Sequence, residues 1–279
     1  LGLQGVKHFI AHAYSTVNEL KLLFPGEEFQ VSEDGELNES GQRSVIKLYH
    51  PIYDLFQADP DFDKEAFKAQ HGLKEHVFLY FGFIRKYKGL HDVIRSFAEL
   101  SREREDVSLM ICGESFWNTL DHSKWSSKIK TALFSIVKAL FMKKEDDEKD
   151  YRPLELINEL GIEDRVLLVN AFIPNEDVPK YFQTADSILL FYERATPSGV
   201  ESLSYNFALP ILATAVGHFP ETVKDGFNGY LAQPGDIQDM QRIMQKSITD
   251  PIEQQNVTES AGHMSWELYV KAIRAHKNG

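Results

Sequence analysis

The chain has 279 residues, 43% hydrophobic and 26% charged, a composition ordinary for a globular protein. A net charge of −12 and a pI of about 5.3 argue against nucleic acid as a partner, whereas a small anionic ligand needs only a few cations in one cleft. The single cysteine, Cys112, excludes an internal disulfide framework; no segment reads as a signal peptide or approaches the roughly 20 apolar residues that span a bilayer, so a cytoplasmic setting is expected.

Residues 1–50 open with Leu1-Gly2-Leu3, without an initiator Met, which reads as an excised or processed piece. Phe9-Ile10-Ala11 and residues 45–49 have strand character, and residues 15–23 have helical spacing, with a polar stretch at 32–43. That is too little to bury a core of its own. Pro51, Pro60 and the acidic residues 59–63 mark 51–74 as a linker. From about residue 75 to 233, short apolar runs at 77–81, 107–112, 166–169, 187–191, 211–215 and 230–232 alternate with helical periodicities such as Val93, Ile94, Phe97 and Leu100. Apolar strands separated by amphipathic helices imply an α/β, doubly wound parallel sheet covered on both faces. Cys112 closes one such run and is expected to be a buried core thiol rather than a nucleophile. Residues 236–279 read as helical, with Trp266, Tyr269, Val270 and Ile273 along one stripe.

Residues 114–150 interrupt this rhythm as an insertion longer than a crossover helix requires. Trp125, Ile129, Leu133, Ile136 and Leu140 recur at spacings of three and four among lysines, with acidic residues 145–150 closing the segment. A basic amphipathic helix carrying a Trp can lie on an anionic membrane surface, giving a peripheral contact through 124–144; the alternative is an extended crossover helix packed on protein.

In an open α/β sheet, ligands bind beyond the carboxyl ends of the strands and at helix N-termini. After the run at 187–191 come Glu193 and, eight positions on, Glu201, with Pro197-Ser198-Gly199-Val200 between them. Pro197 suits an early helical position, so free amides near Ser198, Gly199 and Val200 would face a phosphate. A carboxylate one turn in, Glu201, can accept from two ribose hydroxyls. Ser198-x-x-Glu201 also fits a capping box, which would explain that pair without a ligand. After the first strand of this region, Gly82-Phe83-Ile84-Arg85-Lys86-Tyr87-Lys88-Gly89 carries three cations into a helix start. It lacks the G-x-G-x-x-G dinucleotide pattern; Arg85 and Lys88 are suited to phosphate oxygens, or the loop is a solvated basic one.

Here a resemblance becomes specific. Residues 78–100 resemble the opening strand, cationic loop and helix of the "group 1" family of retaining GT-B glycosyltransferases, and Leu109-Met110-Ile111-Cys112-Gly113 is similar to its second strand. Pro174-Asn175-Glu176-Asp177, Tyr181-Phe182-x-x-Ala185-Asp186, the E-x7-E spacing of Glu193 and Glu201, the stretch from Pro210 to Glu221, and Asp225-Gly226-x-x-Gly229-Tyr230 continue it in order. Phe9 to Ala13 and residues 47–56 look like the end and exit linker of the family's N-terminal domain, and Trp266-Glu267-x-Tyr269-Val270 like its final helix.

The resemblance implies residues 1–50 as a remnant of an incomplete acceptor-binding domain, 75–262 as a Rossmann-like nucleotide-sugar-binding domain, and 263–279 as a helix packing toward the N-terminal domain. It further implies retaining transfer from a nucleoside diphosphate sugar, UDP- or GDP-linked, to a saccharide or lipid-linked acceptor in bacterial cell-surface polysaccharide or glycolipid synthesis. Catalytic roles fall to Arg85, Lys88 and Glu193, and donor binding to Gly82, Ser198, Gly199, Val200, Glu201 and His218. No cofactor or metal is required; Asp61-Phe62-Asp63 only imitates a metal-binding D-x-D. This chain is expected to hold the donor at the inner face of the membrane or in the cytoplasm, and to be inactive alone. A catalytically incomplete binding module, or a relative of nucleotide-sugar 2-epimerases, are the alternatives. Three departures bear on sugar identity: Phe83 stands where the family often has Arg, the interior of E-x7-E lacks its two glycines around an aromatic, and Gly217-His218 replaces a Gly-Gly pair, leaving the imidazole either at the ligand or on the surface. Co-sedimentation with anionic vesicles, with and without residues 120–145, separates the two readings of the insertion: loss of binding on deletion supports the membrane contact, and no difference removes it.

Overall fold

The computed structural model describes residues 2–36, 42–115, 151–197 and 199–277. The segment 124–144 and Ser198 therefore lie outside the described residues. Among those described, nine strands form two wholly parallel sheets. The first has the order β1-β3-β2, with β1 (His8–Ala11), β2 (Phe29–Ser32) and β3 (Arg43–Lys47). Helix α1 (Tyr14–Leu23) lays Val17 and Leu20 on one face, against Ala11 and Val45. β2 goes beyond the two strands read in this region. It is an edge strand and only half-buried, and the acids around it, Glu27, Glu28, Glu33 and Asp34, hide its alternation.

The second sheet has the order β6-β5-β4-β7-β8-β9. Its strands are β4 (His76–Phe81), β5 (Val107–Cys112), β6 (Val166–Val169), β7 (Ser187–Leu190), β8 (Ile211–Thr214) and β9 (Gly229–Ala232), at the six positions expected from the apolar runs. Successive side chains alternate across the pleat, so Val77, Leu79, Ile188 and Leu190 enter one core and Phe78, Tyr80 and Leu189 the other. Residues buried on both sides explain why these strands read as continuous apolar runs. Cys112 is buried as expected, and burial pushes its thiol pKa up, away from reactivity.

Helices cover both faces. Helices α5 (Val178–Thr184) and α6 (Gly199–Asn206) supply Val178, Tyr181, Phe182, Leu203 and Tyr205 to the first core. Helix α3 (Leu90–Glu103) and α8 (Ile237–Thr249) supply Leu90, Val93, Ile94, Phe97, Met240, Ile243 and Met244 to the second, joined by the short α4 (Glu155–Glu159) through Ile157. In the linker, α2 (Lys64–His71) is capped by the Asp63 carboxylate, which accepts from the Ala66 amide; Asp63 thus serves a helix end. The remaining helices are α7 (Phe219–Thr222), α9 (Gln254–Gly262) and α10 (Trp266–Lys277).

The two sheets are tied together. Helix α10 packs Tyr269, Ala272 and Ile273 on Ile46 and Leu48 of the first sheet. Trp266 and Val270, from the same sequence stripe, stay exposed, and the Trp266 indole donates to the Ile52 carbonyl at 3.0 Å. Glu221 on α7 accepts from the Tyr14 and Ser15 amides at the start of α1 (3.0 and 3.4 Å), with the Lys47 ammonium 3.8 Å away. A carboxylate at a helix N-terminus meets both free N–H groups and the positive end of the helix dipole.

The strand order places a topological switch between β4 and β7: the chain leaves β4 toward β5 and β6, then returns to build β7, β8 and β9 on the other side. Among the described residues no helix is long and apolar enough to cross a membrane. Phe97 is wholly buried at the centre of the α3 face, so Phe97→Ala should cost about 3–5 kcal/mol in urea unfolding.

Candidate functional site

The loop after β4 and the loop after β7 leave the sheet side by side at this switch. Two glycines make their approach possible. Gly89 has φ 65°, and a side chain there would stand 1.9 Å from the Phe191 carbonyl oxygen, so the two backbones touch where any other residue would clash. The Glu193 amide then donates to the Tyr87 carbonyl at 2.8 Å. Gly82 has φ 98°, and the position its Cβ would take lies 3.0 Å from the Lys88 Nζ and 3.3 Å from a Val200 methyl. The Gly82 amide donates to the Cys112 carbonyl (2.9 Å) and the Ile84 amide to Glu114 (3.0 Å), which tie the loop to the end of β5. A short 3₁₀ turn, Lys86–Lys88, swings Lys88 inward, with Arg85 immediately before it.

Lys88, Gly82 and Val200, in the first turn of α6 directly after Gly199, therefore converge on one spot. The linker's Tyr53 ring lies against Gly199 and borders it. Lys88 is only 8% exposed. Burial, and secondarily the neighbouring Arg85 charge, lower its pKa to about 8. Phe83 is 52% exposed, and Arg85, in the same loop, is the cation whose charge acts on Lys88.

The two carboxylates differ sharply. Glu193 sits at the strand end with its side chain 41% exposed. Glu201 is 4% exposed and turns inward: Oε2 meets His218 Nε2 at 2.5 Å and Oε1 accepts from the Thr222 hydroxyl at 2.5 Å. His218 is not a surface residue; it is 1% exposed, and its Nδ1 has no hydrogen-bond partner among the described residues. The Glu201–His218–Thr222 group packs beside His50, whose Nδ1 meets the Ser202 hydroxyl at 2.9 Å, so it lies where the first sheet's exit meets α6. Two residues that the sequence reading did not single out, His91 and Tyr151, border Glu193. Neither belongs to a recognisable motif; only the fold brings Tyr151 to the start of α3.

Among the described residues one group could share a metal ion, Glu75, His76 and Asp106. It lies where β4 and β5 begin, at the opposite end of the strands from these loops, and Asp106 is already paired with Arg104.

The lowered pKa of Lys88 has a stability consequence with a definite sign. Below about pH 8 the ammonium is charged in both folded and unfolded chains, and the folded chain bears the full cost of burying it. Between about 8 and the ordinary lysine value of 10.5 the unfolded chain holds more protons, so stability rises with pH. Lys88→Met should therefore stabilise the free protein, on the order of 2–3 kcal/mol below pH 8, with the gain shrinking toward pH 10.5; thermal unfolding across pH 7–10 measures it.

The family profile described as "Glycosyl transferases group 1" matches residues 61–264. The chain is 22% identical over 232 residues to an N-acetyl-alpha-D-glucosaminyl L-malate synthase of Bacillus anthracis, covering 78% of this chain but 51% of that protein, so it spans about half the relative's length. A glycosyltransferase from Rickettsia africae superposes with TM-score 0.67 at 11% identity, covering 99% of this chain and 65% of the other. Anabaena HepE, solved in complex with UDP and glucose, superposes with TM-score 0.59 at 18% identity, covering 98% and 61%. The family match, over residues 61–264, shows that this chain belongs to the group 1 glycosyltransferase family.

Proposed function

We propose that the chain binds a nucleoside diphosphate sugar, UDP- or GDP-linked, with its diphosphate at Lys88 and the first turn of α6. The observation that carries this reading is the buried Lys88 ammonium beside Gly82 and Val200 at the topological switch point. A desolvated cation at the start of a helix is an unfavourable arrangement alone and a favourable one once a dianion arrives. Lys88 and Arg85 hold the phosphate oxygens, and the Gly199 and Val200 amides complete the cradle, together with Ser198.

In a protein of its relatives' length, this arrangement supports transfer of the sugar with retention at the anomeric carbon, to a saccharide or lipid-linked acceptor in cell-surface polysaccharide or glycolipid synthesis. As the bond from sugar to phosphate breaks, negative charge grows on the leaving diphosphate. Cations and amides already in place meet that charge without reorganisation, which is the largest contribution such a site makes. The chain's own cations fill this role in the proposal, so no metal or cofactor takes part. Glu193, exposed at the strand end, faces the donor sugar. Glu201 receives the ribose hydroxyls, a diol taking the place of the Thr222 hydroxyl while His218 steadies the other oxygen. The chain by itself is proposed to bind donor without completing transfer; among the described residues the first sheet has three strands. The region 124–144 remains the proposed point of peripheral membrane contact.

Calorimetry with UDP, UDP-glucose, GDP and GDP-mannose tests the donor site. One nucleotide series should bind, and Lys88→Met should weaken it roughly 10- to 100-fold, the usual worth of a hydrogen bond to a charged group. Absence of binding by all four, or binding indifferent to Lys88→Met, would sink the assignment.

A further inference from the structure

His91 is held in a defined orientation by groups on both sides of its ring. It lies in the first turn of α3. The Tyr151 hydroxyl is 3.0 Å from its Nδ1 and accepts from its backbone N–H at 3.2 Å, with the two rings edge to face at 5.5 Å. On the far side, Nε2 faces two carboxylates, Asp92 Oδ1 at 3.4 Å and Glu193 Oε1 at 3.7 Å. Arg95 lies 3.8 Å from the same Asp92 oxygen.

These contacts determine which ring nitrogen carries the proton. Ionised carboxylates only accept hydrogen bonds, so a bare Nε2 lone pair facing two of them would be repelled. Nε2 therefore bears the proton in the neutral ring, and Nδ1 is the acceptor. Tyr151 matches this arrangement: one lone pair of its hydroxyl takes the His91 backbone N–H, and its proton is free to go to Nδ1. Burial keeps the phenol protonated by pushing its pKa up. The chain of donors runs from Tyr151 through His91 toward Glu193. At 3.7 Å the last step is an approach rather than a bond, and the half-exposed Glu193 side chain can close it by a small rotation.

We propose that His91, oriented by Tyr151, is a positioning residue that anchors Oε1 of Glu193 and leaves Oε2 for a hydroxyl of the donor hexose, so that the Tyr151–His91 pair sets how strongly the site reads the sugar rather than the nucleotide. This rests on the proposed assignment of Glu193 to the donor sugar. Asp92 Oδ1 is the nearer carboxylate oxygen to Nε2 in the free chain, but Asp92 is only 13% exposed and has Arg95 as its own cation, so Glu193 is the member able to turn to a ligand.

The experiment compares UDP-glucose with UDP, and GDP-mannose with GDP, by calorimetry on the whole chain and on Tyr151→Phe, which removes the hydroxyl and keeps the ring. The expected result is a five- to tenfold loss of affinity for the nucleotide sugar with that for the bare nucleotide unchanged, the size of one lost hydrogen bond. In a Glu193→Gln background the same substitution should have no further effect. Nitrogen-15 NMR of His91 in the free chain should show the Nε2-protonated tautomer, shifting toward a mixture in Tyr151→Phe. His91→Leu should reproduce the selective loss, and His91→Gln, which restores an N–H donor, should recover part of it. Equal weakening of sugar nucleotide and nucleotide would mark Tyr151 as merely structural and overturn the inference, as would an unchanged ratio or an Nδ1-protonated ring in the parent chain. Failure of the parent chain to bind any of the four ligands would overturn the donor reading and this inference together; binding with an unchanged ratio overturns this one alone.

Discussion

The arrangement of the site depends on one close approach, that of Gly89 to the Phe191 carbonyl. A parallel sheet whose strand order reverses between β4 and β7 leaves a crevice at that point, because the loops after these strands connect in opposite directions. The crevice becomes a binding site only if the two loops lie close enough to act on one ligand. Contact between backbones brings them that near, and it is available only where no Cβ intervenes. From it follow the Glu193–Tyr87 backbone bond and the inward turn of Lys88. The same closeness excludes water from Lys88, which is why its pKa falls. The desolvation that makes this lysine a poor contributor to stability makes it an effective partner for an anion, a common conflict at functional sites.

A second constraint operates between the sheets. Glu221 belongs to the larger sheet's side yet caps α1, which packs on the smaller one, and Lys47 approaches the same carboxylate with its ammonium over the Tyr49 ring at 3.6 Å. The final helix returns to cover Ile46 and Leu48. Local charge and capping at one point, and apolar burial at the other, therefore orient the small sheet's strand ends toward Glu201 and His218.

The strands of the larger sheet were legible because burial on both faces leaves a simple trace: runs of apolar residues of strand length, separated by helical periodicity. The loops were legible because glycines flanking cations and small residues at a helix start are local features. β2 was not legible, since a half-buried edge strand among acids needs little apolar pattern. His91 and Tyr151 were not legible either. They lie 60 residues apart, on either side of the insertion, and each alone is an unremarkable polar aromatic.

By itself, then, the sequence determined the class of fold, the order of its large-sheet strands along the chain, the burial of Cys112, and the two loops in which a phosphate site should be sought. All of these follow from periodicity and composition over a few residues. Only the tertiary structure decided what each functional group faces. Glu193 and Glu201 look equivalent at a spacing of eight, yet one is exposed beside His91 and the other buried between His218 and Thr222. His218 was open to a surface reading and proves to be buried in the Glu201 network. The physical reason is that a carboxylate's role is set by which donors reach it and how much water remains around it. Those donors come from elements joined only by the folding of the chain.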